Sequence, residues 1–168
     1  MNHFQGIVRL TTTLLLGLLT ANGAAAAGCA GPEHRQFDFW IGEWEVRTPD
    51  GKVAGINRIR SDYEGCVVRE RYETATGYRG ESLNAYDPGR KRWHQTWVDN
   101  KGGVLLLEGG LRNGNMVLEG QTTAVDGTPT KQRISWTPRA DGTVTQLWEA
   151  STSDGQWSIV FYGIYWKR

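Results

Sequence analysis

Glu70 and Arg133 are the two charged residues whose positions could carry out chemistry. Glu70 shares one face of a short strand-like segment with Val68 and Tyr72. If both charged side chains point into the protein they must pair, because a buried charge needs a partner. Such a pair could orient a polar ligand or move a proton, and with a tyrosine it would form the acid–base set of a lyase or isomerase. The alternative is a solvated pair on the outer surface.

Several strand-like segments also combine an aromatic and a hydrogen-bonding side chain on one face. Residues two apart in a strand share a face. The combinations are Glu70 with Tyr72, Asn84 with Tyr86, Gln95 with Trp97, and Gln146 with Trp148. An interior of this composition is typical of a ligand pocket, whereas a filled core is mainly aliphatic. The alternative is that some of these faces point outward or that the polar groups bond one another across strands. The candidate ligand-binding residues are Glu70, Tyr72, Asn84, Tyr86, Gln95, Trp97, Arg133 and Trp148.

The sequence lacks the residue patterns of nucleophilic catalysis, phosphate binding and metal binding. No nucleophile motif, phosphate-binding loop or pair of histidines at metal-ligand spacing occurs, so we expect no metal and no cofactor and assign no catalytic residue. Strand alternation turns His94 away from Trp93 and Trp97. The chain has 19 basic and 18 acidic residues and a net charge of +1, which argues against nucleic-acid binding. The residues favour a small-molecule ligand as the partner, and a binding protein over an enzyme.

A series of short strands must position these side chains. Turn signals such as Asp-Gly and Asn-Gly recur about every ten residues, and aromatic and β-branched residues fill the intervals. The pattern predicts an all-β protein, an up-and-down antiparallel lipocalin-like (calycin) β-barrel of about ten strands with a short N-terminal arm. The predicted strands are Glu43–Thr48, Val53–Asp62, Cys66–Thr74, Glu81–Tyr86, Arg92–Val98, Val104–Glu108, Met116–Gln121, Lys131–Thr137, Val144–Ser151 and Trp157–Trp166.

An aromatic segment, Phe37–Val46, leads into the first of these strands. Small up-and-down barrels often begin with a Gly-x-Trp in which the tryptophan closes one end. The glycine allows the backbone and the ring to pack closely. We therefore predict that Trp40, Gly42 and Trp44 close one end of the barrel.

Residues 1–27 have the pattern of a secretory signal peptide that is removed, which leaves residues 28–168 as one domain. Arg9 precedes a short apolar run, Leu10–Leu19, and the small residues Ala24–Ala27 supply a cleavage site. The run is too short to span a bilayer as a helix. We expect a periplasmic or secreted bacterial protein with no transmembrane segment in its mature chain.

Cys29 lies just beyond the predicted cleavage site and has two alternative fates. It pairs with Cys66, which leaves no free thiol in an oxidising compartment, or it becomes a lipidated N-terminus. The small residues before Cys29 fit a lipobox, but Ala26, three positions upstream, stands where a leucine is usual. The disulfide is the favoured prediction.

Four motifs resemble one family, the DUF1579-like secreted bacterial proteins. They are Phe37–Trp44, Gly65-Cys66, Gly80–Asp87 and Trp93–Asp99. The resemblance covers most of residues 29–166 and implies a lipocalin-like barrel of the bacterial envelope. It implies no established activity, so no catalytic residue is carried over. The expected function is binding of a small, partly apolar ligand inside the barrel; the alternatives are a small-molecule lyase or isomerase and a structural envelope barrel without a ligand.

Overall fold

The computed structural model describes residues 1, 28–151 and 155–168. Apart from Met1, the predicted signal peptide lies outside the described residues. Within the described part of the chain, no helix is long and apolar enough to cross a membrane.

Ten antiparallel strands form a closed barrel in which each strand pairs with its neighbours in sequence and β1 pairs with β10. This confirms the predicted up-and-down, lipocalin-like fold. Closure removes the free sheet edges, which would otherwise expose unpaired backbone groups. The strands are β1 (Gly42–Arg47), β2 (Val53–Asp62), β3 (Val67–Glu73), β4 (Arg79–Asp87), β5 (Arg92–Asp99), β6 (Val104–Arg112), β7 (Asn115–Thr123), β8 (Pro129–Pro138), β9 (Val144–Ser151) and β10 (Trp157–Lys167).

The predicted strand bounds differ most at β6, which continues beyond Glu108. Gly109 and Gly110 pair with Leu118 and Val117 of β7 instead of ending the strand. A Cβ on Gly109 would overlap the backbone oxygen of Val117, so the close approach of β6 and β7 requires a glycine there.

The two ends of the barrel differ. One end, the arm end, holds the start of β1 and the turns that follow β2, β4, β6 and β8. The opposite end, the open end, holds the turns that follow β1, β3, β5, β7 and β9. The N-terminal arm crosses the arm end in three short 3₁₀ turns, Gly28–Ala30, Pro32–Arg35 and Asp38–Trp40, and a fourth turn, Tyr63–Gly65, joins β2 to β3.

A disulfide between Cys29 and Cys66 fastens the arm to the barrel, with a Cα–Cα distance of 4.8 Å. The structure thereby confirms the predicted disulfide. Arg35 reinforces the junction, since its guanidinium donates to the carbonyl oxygens of Cys29, at 3.2 Å, and of Gly65. The closed loop spans a sequence separation of 37 residues. A loop of this size corresponds to about 4 kcal/mol of lost unfolded-state entropy.

Aromatic side chains from the arm and from the strands pack together at the arm end and form an aromatic plug. The plug consists of Phe37, Trp40, Trp44, Trp93 and Trp136, each at most 1% exposed. The ring of Phe37 stacks on Trp40 at 4.8 Å and meets Trp136 edge-on at 5.1 Å between centroids. The indole N–H of Trp44 donates to the carbonyl oxygen of Trp40 at 2.8 Å. These packed rings therefore fill the arm end of the barrel.

Candidate functional site

A cavity of about 220 Å³ lies inside the barrel, between the aromatic plug and the open end. Its walls are mostly aromatic and aliphatic, with a few polar groups among them. The lining residues are Glu70, Tyr72, Tyr78, Gln95, Trp97, Leu105, Ile134, Trp136, Gln146, Trp148, Val160, Phe161 and Tyr165. This combination of apolar walls and a few fixed polar groups is typical of a small-molecule site.

A hydrogen-bonded network of buried side chains forms one wall of the cavity, with Glu70 at its centre. Asn57 of β2 donates to Oε1 of Glu70 at 2.7 Å, and Ser82 of β4 donates to Oε2 at 2.7 Å. Asn84 donates to the Ser82 hydroxyl at 2.9 Å and accepts from Gln95 at 2.7 Å. The network spans four neighbouring strands, β2 to β5, and holds the carboxyl in one orientation.

Tyr165 of β10 extends the network to the other side of the barrel. Its hydroxyl accepts from Asn57 at 3.3 Å and donates to the side-chain oxygen of Gln146. Because β10 pairs with β1, and β1 with β2, these bonds bridge the seam where the barrel closes. The polar groups are thus tied together across the interior.

Burial raises the pKa of Glu70 from the usual 4.5 to about 7, although the hydrogen bonds from Asn57 and Ser82 favour the charged form. Burial and the nearby Glu70 charge also raise the pKa of Tyr72 to about 12 and that of Tyr165 well above the usual 10. At neutral pH, Glu70 therefore exchanges between its charged and uncharged forms, whereas both tyrosines remain uncharged.

Side-chain hydrogen bonds fix the aromatic rings near the open end. Asp99 Oδ2 accepts from the Trp97 indole at 3.2 Å and from the Tyr78 hydroxyl at 3.0 Å. The Trp148 indole donates to Gln132 at 2.7 Å. Rings held in this way lose little further freedom when a ligand contacts them, and such preorganisation favours binding.

Three of the cavity rings lie close against glycines that face into the barrel. A Cβ on Gly55 would come within 2.7 Å of a ring atom, a Cβ on Gly163 would do the same, and a Cβ on Gly80 would overlap its ring outright. The rings therefore pack against the wall instead of filling the interior. The three combinations are Gly55 with Tyr72, Gly80 with Trp97, and Gly163 with Phe161.

The structure brings five of the sequence-predicted ligand residues together around the cavity: Glu70, Tyr72, Gln95, Trp97 and Trp148. Asn84 lies behind this wall as part of the hydrogen-bonded network. Tyr86 lies elsewhere, because it is opposite Trp93 near the β4–β5 turn at the arm end and contacts His34 edge-on at 5.3 Å.

Arg133, a candidate ligand-binding residue, does not face the cavity, and the pairing with Glu70 that an inward position would have required does not form. In β8 the buried residues are Gln132, Ile134 and Trp136, so the intervening Arg133 points outward. Its guanidinium pairs with Glu149 of β9 at 3.0 Å and lies 4.2 Å from the centre of the Trp157 ring. The acid–base set of Glu70, Arg133 and a tyrosine is therefore not assembled.

The structure adds site residues that the sequence reasoning missed. Asn57 and Ser82 hold Glu70, and both lie on the inward-facing parity of strands whose bounds the sequence indicates. Phe161 and Tyr165 line the cavity from β10, where an irregularity between Ile159 and Phe161 shifts the pairing with β9. Such a bulge turns residues that would alternate regularly, so parity counted from Trp157 alone gives no reliable face for this strand.

The fold and the cavity define a class of protein, a lipocalin-like β-barrel with an internal cavity. In comparisons with known proteins, no protein-family model matches this chain and no curated protein matches it. The resemblance to the DUF1579-like family therefore stays a prediction from four sequence motifs.

Proposed function

We propose that this barrel binds a small, partly apolar molecule in the cavity at its open end. The observation that carries the proposal is the cavity of about 220 Å³, which holds Glu70, Gln95 and Gln146 against aromatic walls. A dry cavity of about 150 Å³ accommodates benzene, so a cavity of this size suits a ligand of about nine or ten non-hydrogen atoms. A structural barrel without a ligand would instead have a filled interior.

We further propose that the protein works outside the cytoplasm of a bacterium. The disulfide between Cys29 and Cys66 supports this location, because such bonds persist in oxidising compartments. The signal-peptide pattern and the resemblance to a secreted family point the same way. Since the disulfide uses the Cys29 thiol, it argues against a lipid anchor at that residue.

Two substitutions on β6 test the binding site. Leu105 is 5% exposed and lines the cavity, whereas the adjacent Leu106 is 52% exposed on the outer face. Leu105→Trp should fill the cavity and abolish binding, and Leu106→Trp is the matched control that should leave binding intact.

Binding is measured by native mass spectrometry of the protein purified from its host, and by tryptophan fluorescence with a panel of small aromatic and aliphatic compounds. We expect a co-purifying mass or a saturable fluorescence change that Leu105→Trp removes. A clean apo mass together with an unresponsive panel would refute the proposal.

The Glu70 carboxyl favours a second candidate function for this cavity, that of a lyase or isomerase. A group with a pKa of about 7 can accept and return a proton at neutral pH. With Arg133 on the outer face, Glu70 would act beside Tyr72 in the cavity. Incubation with small ketones in deuterated water tests this function, because Glu70-dependent deuterium incorporation next to the carbonyl would reveal proton transfer. No incorporation above that of the Glu70→Gln variant would rule the function out for those compounds.

A further inference from the structure

Glu70 is the single acidic or basic side chain among the described residues that line the cavity. It is 4% exposed, and each carboxyl oxygen accepts one hydrogen bond from a neutral donor, Asn57 or Ser82. A carboxylate oxygen has more than one acceptor site, so both oxygens can accept a further bond. The negative charge of this carboxylate is therefore without a cationic partner in the cavity.

The neighbouring arginines do not supply the missing cation. Arg69 and Arg71 flank Glu70 on β3 but point outward, where they pair with Asp62 at 2.6 Å and Glu81 at 2.7 Å. A buried charge is unfavourable unless a partner compensates it. The structure thus leaves a negative charge at the cavity wall that a ligand could compensate.

The rest of the cavity wall also favours a positive charge. The faces of aromatic rings carry partial negative charge, and a desolvated cation gains about 2 kcal/mol from such a face. Trp97, Trp148, Tyr72 and Phe161 all line this cavity. An aromatic enclosure with one carboxylate is suited to an organic cation, whose charged head and apolar body it contacts together.

We propose that the ligand of this cavity is a small organic cation, a protonated amine that pairs with Glu70 while its apolar part lies against Trp97 and Trp148. This inference rests on the proposed binding function and names the class of ligand. It also predicts a pH dependence, because the amine should bind the charged form of Glu70. The other groups near Glu70 do not titrate in the same range. The pKa values of Tyr72, on the same strand, and of Tyr78 are raised to about 12, and that of Tyr165 is raised well above 10. The remaining facing groups are neutral amides and a hydroxyl from β2, β4, β5 and β9, namely Asn57, Ser82, Gln95 and Gln146.

Three ligands of similar size test the inference on the intact mature protein by isothermal titration calorimetry. Phenethylamine is a cation, phenethyl alcohol is neutral and phenylacetate is an anion. At about pH 8, where Glu70 with its pKa of about 7 is mostly charged, the amine should bind at least about tenfold more tightly than the alcohol. The anion should bind most weakly of the three.

The wild-type protein provides a test that needs no variant. When the pH falls from about 8 to about 5.5, Glu70 becomes protonated and the preference for the amine over the alcohol should fall to what the aromatic walls alone supply. The variant test uses Glu70→Gln, which should reduce the preference at pH 8 to the same extent while the alcohol still binds. Glu73→Gln, which alters an outward carboxyl on the same strand, is the matched control and should keep the preference.

The outcomes separate the two proposals. If the amine and the alcohol bind equally at both pH values and Leu105→Trp abolishes both, the cavity binds ligands but the charge inference is overturned. If the anion binds best, the inference is overturned as well. If none of the three ligands binds the wild-type protein, the charge inference fails, and an unresponsive compound panel then refutes the binding function itself.

Discussion

Replacement of Glu70 by glutamine should make the barrel more stable at neutral pH. Glutamine keeps the shape of the side chain and can still accept from Asn57. The Ser82 hydroxyl, which donates to Glu70, can rotate and accept from the new amide group instead. The substitution therefore removes the ionisable group with little change to the hydrogen-bonded network.

The direction of the expected stability change follows from the linkage between proton binding and folding. The pKa of Glu70 is about 7 in the folded protein, against a usual value of 4.5. Between these two pH values the folded state binds more protons than the unfolded state, so the free energy of unfolding falls as pH rises. One pKa unit corresponds to about 1.4 kcal/mol, so wild type should lose roughly 3 kcal/mol across this window and the glutamine variant should not.

The assay is urea denaturation, followed by tryptophan fluorescence, of both proteins at a series of pH values from about 4.5 to about 8. The variant should gain stability over wild type as pH rises and level off above about pH 7. All other titrating groups are shared, so they cancel in the difference. Glu73→Gln, which breaks an exposed pair with Arg58, should change stability by less than about 1 kcal/mol at every pH. A pH-independent difference between Glu70→Gln and wild type would refute the reasoning.

Three further predictions concern the barrel around this carboxyl. Gly80→Ala should destabilise the protein by about 1–3 kcal/mol and weaken ligand binding, because the new Cβ overlaps the Trp97 indole and forces it into the cavity; thermal melts and titrations measure both effects. Replacement of Cys29 and Cys66 by serine should lower the free energy of unfolding by up to about 4 kcal/mol in denaturant titrations, and an unchanged value would show that the arm adds no constraint. Arg133→Ala should change stability by no more than about 1 kcal/mol and leave ligand binding as in wild type, since its ion pair lies on the outer face; a loss of binding would contradict this placement.

The fold can be predicted from the sequence because the residues that indicate its turns and strands act locally. Each tight turn depends on a few residues that tolerate the turn geometry, and the strands between turns follow from aromatic and β-branched residues. Strands β2 and β9 have the predicted bounds, Val53–Asp62 and Val144–Ser151. In an up-and-down barrel each strand pairs with its neighbours in sequence, so these local signals also determine the topology.

The site is only partly readable, because strand alternation defines two faces without saying which face is inside. In β8 the apolar face of Ile134 and Trp136 is buried and the face of Arg133 is not, as the hydrophobic pattern favours. Both faces of β8 stayed open for Arg133 in the sequence, and a role in ligand binding required the inward face, which Arg133 does not have. A charged residue needs stronger reasons for burial than the presence of a possible partner elsewhere in the chain.

The alternation of side chains along a strand also does not show how far along the barrel axis an inward-facing side chain lies. Tyr86 shares a face with Asn84 and points inward, but it lies beside the β4–β5 turn at the arm end. Its height is set by pairing with Trp93, and that register becomes known only with the complete hairpin. The cavity itself depends on glycines that contact rings diagonally or two positions along a strand, such as Gly80 below Trp97. Contacts of this kind leave no periodic signal in the sequence.

Stability and ligand recognition make opposite demands at Glu70. A domain of this size typically has a free energy of unfolding of 5–15 kcal/mol, so the roughly 3 kcal/mol that the charged carboxyl costs is a large share of it. A well-packed apolar side chain at the same position would avoid that penalty and complete the core. The hydrogen bonds from Asn57 and Ser82 reduce the penalty but do not remove it, since the pKa of Glu70 remains about 7. Folding alone therefore does not explain a carboxyl at this place, whereas the proposed recognition of a cationic ligand would, because the positive charge of the ligand would compensate the buried carboxylate.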